Sequence, residues 1–399
     1  MRKLLVWLIA LPLAVFALSA AAGSVTKLRN PQAALKTWPV PGLTYERLAQ
    51  NDFSQRVGDE LTEIESAYRP GDGELASRAV GREATAHYAL GLLALRASAS
   101  GDDARAREMF AILSRLDKRQ SLANLWQLFD YGEREQLVPM MAAADRLFRH
   151  NVPARDRIMP GLATATALDG AIDAIDAELA DDPPWRFQYW WALIRVPDAF
   201  DNGVDLRRRA LSRGQDTPPG FDRAFLFALA EAGKLDQAQA LAADLSDTKP
   251  ARLSGNAPLT FDFTDAGGLP PFAWDVLSEG EYGAYHDPQL GELAINAIAR
   301  SGGQVARRLI DLSAGRYTMT VQARLVNTRT PPVTISLRCA NRARTRFAEL
   351  ALDERNSTIS FSVPATDCDF GWIEIDAESV DDPEGYDIAI ESIRLSPAS

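Results

Sequence analysis

An all-helical part followed by an antiparallel β-sandwich is the fold class that this sequence predicts, and three observations predict it. Apolar residues recur at three and four positions from about Thr44 to Lys249, the period of helices packed on one face. After Lys249 there is no further lysine, and the pattern turns to strict alternation. Short polar or glycine-bearing turns break both patterns at regular intervals. The 399 residues suffice for two or three cores, and a composition of 46% hydrophobic and 24% charged residues excludes disorder.

The first element is an address. Met1-Arg2-Lys3 precedes an uncharged, mostly apolar run from Leu4 to Ala22, ended by Gly23-Ser24. Basic residues ahead of such a run keep the amino terminus cytoplasmic and send the rest across the membrane. Ala20 and Ala22 suit cleavage as a signal peptide, whereas the length of the run suits retention as an anchor; both outcomes stay open. The expectation is export to the periplasm, either soluble or held in the inner membrane by residues 4–22. A linker is expected over 24–43.

The helical part, expected over 44–249, is written as hairpins. Ala86, Leu90, Leu93 and Ala97 share a spacing that Ser100-Gly101-Asp102-Asp103 interrupts, and Ala106, Phe110, Leu113 and Leu116 resume it. Asp102 or Asp103 is placed to cap the second helix. Further pairs follow over 122–131 with 135–148, 155–168 with 171–179, 184–196 with 204–212, and 221–232 with 235–245. The run Trp185, Phe187, Tyr189, Trp190 and Trp191 puts Trp185 and Tyr189 on one face, mostly as core between helices, with one or two rings left for a groove.

Paired helices every 30–40 residues imply a solenoid. The segment Phe227-Ala-Leu-Ala-Glu-Ala-Gly233-Lys-Leu235-Asp-Gln-Ala238 resembles the tetratricopeptide repeat, with Gly233, Leu235 and Ala238 at its turn, large and close-packing positions; Leu90-Gly91 with Ala106 and Phe110 is a looser match. The resemblance implies a protein partner along the helical surface. Such exported proteins often scaffold polysaccharide synthesis and export in Gram-negative envelopes, which is the setting it implies.

A linker is expected over 250–258, then a sandwich over 259–397. Tyr317, Met319, Val321, Ala323 and Leu325 point one way, while Thr318, Thr320, Gln322 and Arg324 point the other. Strands are also expected over 291–297, 305–311, 333–339, 347–352, 358–363, 372–377 and 386–395, which is enough for two sheets. Phe261-Asp-Phe263, Pro270-Pro-Phe-Ala-Trp274, Asp311-Leu-Ser-Ala-Gly-Arg-Tyr-Thr-Met319 and Ile388-Ala-Ile-Glu-Ser-Ile-Arg-Leu395 occur in an order that resembles the galactose-binding-like jelly roll of carbohydrate-binding modules. That resemblance implies a polysaccharide ligand. Glu391 departs from the Asp often found in the last motif, which puts the family's structural calcium in doubt.

The candidate ligand-binding residues are Trp274, Tyr282, Tyr285, Arg342 and Arg344. Exposed aromatic rings stack on the apolar faces of sugars, with Asp275, Glu279, Glu281 and Asp287 near in sequence to accept hydroxyl protons. The alternative for Trp274 is a plug at the end of the core. Arg338, Arg342, Arg344 and Arg346 fall within nine positions, suited to grip carboxylates or phosphates, or to form ion pairs around a turn. Cys339 and Cys368 are the chain's two cysteines and are expected to form a disulfide in an oxidising compartment.

Function classes narrow by exclusion. Residues 258–399 carry 21 Asp and Glu against 12 Arg, a net of −9 out of the chain's −11. That charge argues against nucleic acid as a partner. The three histidines stand apart at 87, 150 and 286, and no nucleophile–base motif accompanies them. No catalytic residue, metal site or cofactor is expected, and the chain reads as a binding protein rather than an enzyme. A structural envelope protein whose jelly roll contacts only protein is the alternative; a carbohydrate-active enzyme with an unrecognised site is the third.

Overall fold

The computed structural model describes residues 15–27, 29–37, 40–57, 64–246, 251–253, 258–261, 263, 268–326, 332–341, 343–352 and 355–398. Helices occupy the first part: α1 (15–26), α2 (Pro31–Ala34), α3 (Gly42–Val57), α4 (Pro70–Val80), α5 (His87–Ala99), α6 (Asp103–Leu116), α7 (Ser121–Glu133), α8 (Leu137–His150), α9 (Val152–Ala165), α10 (Ala171–Ala180), α11 (Arg186–Leu193), α12 (Phe200–Ser212), α13 (Phe221–Glu231) and α14 (Leu235–Leu245). The expected leader or anchor over 4–22 lies partly outside the described residues. Among those described, no helix is long and apolar enough to cross a membrane.

The chain groups into two compact units, 1–189 and 190–399, and the boundary falls inside α11. In the first unit α3–α4, α5–α6 and α7–α8 pack as pairs. Asp102 caps α6 by accepting from the Arg105 amide at 3.2 Å. Helix α5 is apolar nearly all round, so Ala89, Leu92 and Leu95 are more deeply buried than the Leu90 and Leu93 that the spacing singled out. The third expected pair forms helices in place but packs differently, α9 and α10 both lying on α8; in the fourth, α12 meets Leu193 of α11 at Gly203 and also lies on α14. Trp185 and Tyr189 are core residues of the first unit, held by Asp145 at 2.9 Å and Thr166 at 2.8 Å, whereas Phe187 and Trp191 stay partly exposed.

The second unit joins α12–α14 to a β-sandwich. Its strands are β1 (Arg252–Leu253), β2 (Leu259–Phe261), β3 (Asp275–Val276), β4 (Tyr282–Asp287), β5 (Glu292–Ala297), β6 (Gly303–Leu312), β7 (Gly315–Leu325), β8 (Val333–Cys339), β9 (Arg346–Ala351), β10 (Asn356–Val363), β11 (Phe370–Ala377) and β12 (Tyr386–Pro397). One sheet runs β1-β6-β11-β8-β9, with β3 also on β6. The other runs β10-β7-β12-β5-β4, with β2 also on β12. Among the described residues every pairing is antiparallel except β1 with β6, where Arg252 stands opposite Asp311. Thus β1 adds a sheet strand inside the stretch 250–258 expected as a linker, with Leu253 fully buried.

Side chains from both sheets make one core. Tyr317, Met319, Val321 and Ala323 enter it from β7 as their alternation requires. In β12 the inward residues are Ile388, Ile390, Ile393 and Leu395, and the skip from 390 to 393 is a β-bulge at Glu391. The bulge lets β12 pair with β5 over 386–390 and with β2 over 393–395.

A tight turn joins α13 to α14, and Gly233 holds it with φ +77°. That left-handed region is costly for any residue with a Cβ. Gly233→Ala should therefore lower stability by about 1 kcal/mol, read as a shift of the urea midpoint, although no atom would crowd the added methyl.

Candidate functional site

The disulfide expected between Cys339 and Cys368 is present, with both residues buried and their Cα atoms 5.0 Å apart. It fastens the β8–β9 loop to the segment entering β11. Backbone bonds tighten the junction: Ala340 N to Phe370 O at 2.8 Å, Leu312 N to Asp369 O at 2.7 Å, and Cys339 N to Thr345 O at 3.0 Å. Asn341 Nδ2 donates to Asp367 O at 2.8 Å. Arg344 and Asp367 both hold positive φ, +46° and +57°, conformations that persist only where surrounding structure enforces them.

This rigid end of the sandwich forms one wall of a cleft of about 1100 Å³, and the α13–α14 turn forms the other. Gly233, Asp236 and Gln239 come from the helical side, with Arg252, Asp311, Asn341 and Asp369 opposite. A side recess of about 330 Å³ shares Gly233, Ala340 and Asn341 and adds Arg344 and Trp372. Asp311 is paired with Arg252 at 3.4 Å. Burial pushes its carboxyl above the ordinary aspartate range, against the opposing pull of Arg252 and a bond from Gln239. Among the described residues Arg344 has no ion-pair partner and stays exposed.

The helical wall is held by a clamp on the outer face of the first sheet. Asp275, 1% exposed, receives Arg307 Nε at 3.0 Å and an Arg223 guanidinium nitrogen. The Arg307 guanidinium lies 4.4 Å from the Phe227 ring centre and 5.6 Å from that of Trp372. Those two rings are parallel within 2°, their centres 6.1 Å apart. Cation–π contact and a buried carboxylate together fix α13 on the sheet.

The candidate residues do not assemble as one site. Trp274 is 7% exposed, packed against Phe261 and Phe263, so it plugs the core and offers no ring face. Tyr282 is half-buried with its ring against the backbone of Gly303, where a Cβ would fall 2.6 Å from its hydroxyl. Tyr282 and Tyr285 both belong to strand β4, which is not among the strands that the sequence predicts. Tyr285 stays 57% exposed on the outer face of the second sheet, opposite Ala294 in register. Arg344 lines the recess on the first sheet, and Arg342 lies outside the described residues. Arg338 and Arg346 pair with Glu374 and Glu349, the ion-paired alternative for that cluster. The nearby acids serve structure: Asp275 in the clamp, Glu281 bonded by Ser301, and Asp287 accepting the Gln289 and Leu290 amides of a turn.

Sequence reasoning missed Asp236, Gln239, Arg252, Asp311, Asn341, Asp367 and Asp369. One signal was there to use, since a Cys339–Cys368 bond necessarily brings Asn341 and Arg344 to the two aspartates flanking Cys368. Nothing in the sequence announces that α14 lies over this junction.

No protein-family model matches the chain, and no curated protein matches it. Solved structures do match, among them one titled "CBM4 structure and function". It is 16% identical, covers 31% of this chain and 86% of its own, and has a TM-score of 0.23, a likeness too slight to bear on fold or ligand.

Proposed function

We propose that the chain is an exported, non-enzymatic binding protein of the cell envelope, whose helical hairpins hold a protein partner and whose β-sandwich binds a polysaccharide destined for synthesis or export. The cleft at the disulfide end carries the polysaccharide part. Carboxylates accept pairs of sugar hydroxyls, guanidinium and amide groups donate to them, and rigid walls limit the entropy lost on binding. Asp236, Asp311, Asp367, Asp369, Gln239, Asn341, Arg252 and Arg344 supply that mixture in one place. A disulfide behind the residues that line the cleft fits an oxidising compartment.

The test is affinity electrophoresis of the full chain through gels holding neutral and acidic polysaccharides. Retardation by at least one, and not by bovine serum albumin run beside it, is expected. Migration unchanged in every gel would remove the polysaccharide role and leave the protein-contact alternative.

One observation favours a second reading as a carbohydrate-active enzyme. Asp311 holds its proton to higher pH than an ordinary aspartate and shares the cleft with Asp236 and Asp369, the setting a glycosidase acid needs. Reducing ends accumulating with the retained polysaccharide, and lost in Asp311→Asn, would establish it; the binding role predicts none.

A further inference from the structure

The ten asparagines of the chain include one, Asn356, with a serine or threonine two positions on, Thr358; Ser357 rather than a proline stands between them. That spacing is the acceptor signal for attaching sugar to an asparagine side chain in exported proteins. The fold presents it openly. Asn356 opens strand β10 beside the exposed turn residue Arg355, and Asn356 and Thr358 are both exposed on the outer face of the second sheet, with Ser357 turned inward. In register they stand opposite Gln322 and Thr320 of β7. Among the described residues the Asn356 side chain has no hydrogen-bond partner, whereas the Thr358 hydroxyl donates to Thr320 Oγ1 at 3.3 Å.

A second observation comes from the strand itself. Strand β10 lies at one end of its sheet's strand order, and its residues Asn356–Val363 hold no charge, glycine or proline. The strands at the other three ends carry charge: Arg252 in β1, Asp287 in β4, Arg346 and Glu349 in β9. A neutral edge strand of that length pairs with other chains unless something bulky and soluble covers it. An oligosaccharide on its first residue is such a cover. Val363, at the strand's other end, pairs with Gly315 next to Ala314 of the cleft, about 23 Å along the strand from Asn356. Sugar on Asn356 therefore leaves the cleft open.

We propose that Asn356 carries an N-linked oligosaccharide, added after export, that shields the edge of the second sheet. The inference rests on the reading of the chain as exported. The donor is an oligosaccharide held on a lipid diphosphate, and a membrane transferase joins the two. Asn356 Nδ2 bonds to the anomeric carbon, the bond from that carbon to the phosphate oxygen breaks, the lipid diphosphate leaves, and the amide gives up one proton.

Mass spectrometry of the full chain purified from its natural host tests it, with the state of Cys339 and Cys368 read from the same preparation. The peptide containing Asn356 should carry an increment of whole sugar residues, lost in Asn356→Gln and Thr358→Val and kept in Thr358→Ser. A closed disulfide with a bare Asn356 would overturn the modification and leave export standing; free thiols with a bare Asn356 would overturn both. The sugar-free Asn356→Gln chain should also aggregate several-fold faster than wild type at equal concentration, and equal rates would overturn the shielding role.

Discussion

Asp275→Ala should lower the stability of the second unit by about 2–3 kcal/mol, and melting by roughly 5–10 °C. The carboxylate is buried between two arginines, and its removal leaves both cations without their partner. Loss of one member of a buried pair typically costs about 3–5 kcal/mol. Arg223 and Arg307 are partly exposed and regain some hydration, which reduces the cost. Asp275→Asn keeps an acceptor and should fall between wild type and alanine. The consequence for the site is direct, because α13 and the α13–α14 turn are fixed by Arg223, Arg307 and Phe227. Hydrogen exchange over 223–239 should therefore quicken in Asp275→Ala even where the sandwich core stays protected. Unchanged exchange there would show that the clamp does not position the helical wall.

Removing the disulfide should have the larger thermodynamic effect. Cys339 and Cys368 are separated by 29 positions, and closing a loop of that size stabilises by about 3–4 kcal/mol in the chain-entropy model. Cys339→Ser/Cys368→Ser should lose that amount in urea unfolding, and dithiothreitol should bring the wild type to the same midpoint while leaving the variant unaffected. Asn341 and Arg344 stand on one side of the bond, Asp367 and Asp369 on the other. The double variant should thus lose polysaccharide retention at temperatures where its core is still folded.

Much of the fold was legible because it follows from side-chain period. The β7 alternation from Tyr317 to Ala323 and the hairpin around Gly101-Asp102 were read without any long-range knowledge. Even the bulge at Glu391 is written in the spacing of Ile388, Ile390, Ile393 and Leu395. Strand β4 escaped because Gly283 and Ala284 bury too little to mark a face, and its exposed Tyr285 looks like a loop aromatic. The departure in helix pairing arises from packing of α10 on α8, which local period does not encode. The site was less legible than the fold. Trp274 and Asp275 looked like a ligand pair, yet one fills the core and the other fixes a helix. A buried carboxylate between two arginines and an exposed one awaiting a ligand have the same letters; their neighbours far along the chain distinguish them.

Calorimetric titration of the best-retained polysaccharide into wild type and into Arg344→Ala/Asn341→Ala tests the central claim most directly. Arg344 makes no ion pair among the described residues and the Asn341 side chain makes one bond there, to the Asp367 carbonyl, so the variant should keep its fold, established by its melting temperature. Two lost hydrogen-bonding groups, one charged, should weaken binding by about tenfold to a hundredfold. Equal affinity in a folded variant, or no heat with any polysaccharide in the wild type, would contradict a polysaccharide site at the disulfide end of the sandwich.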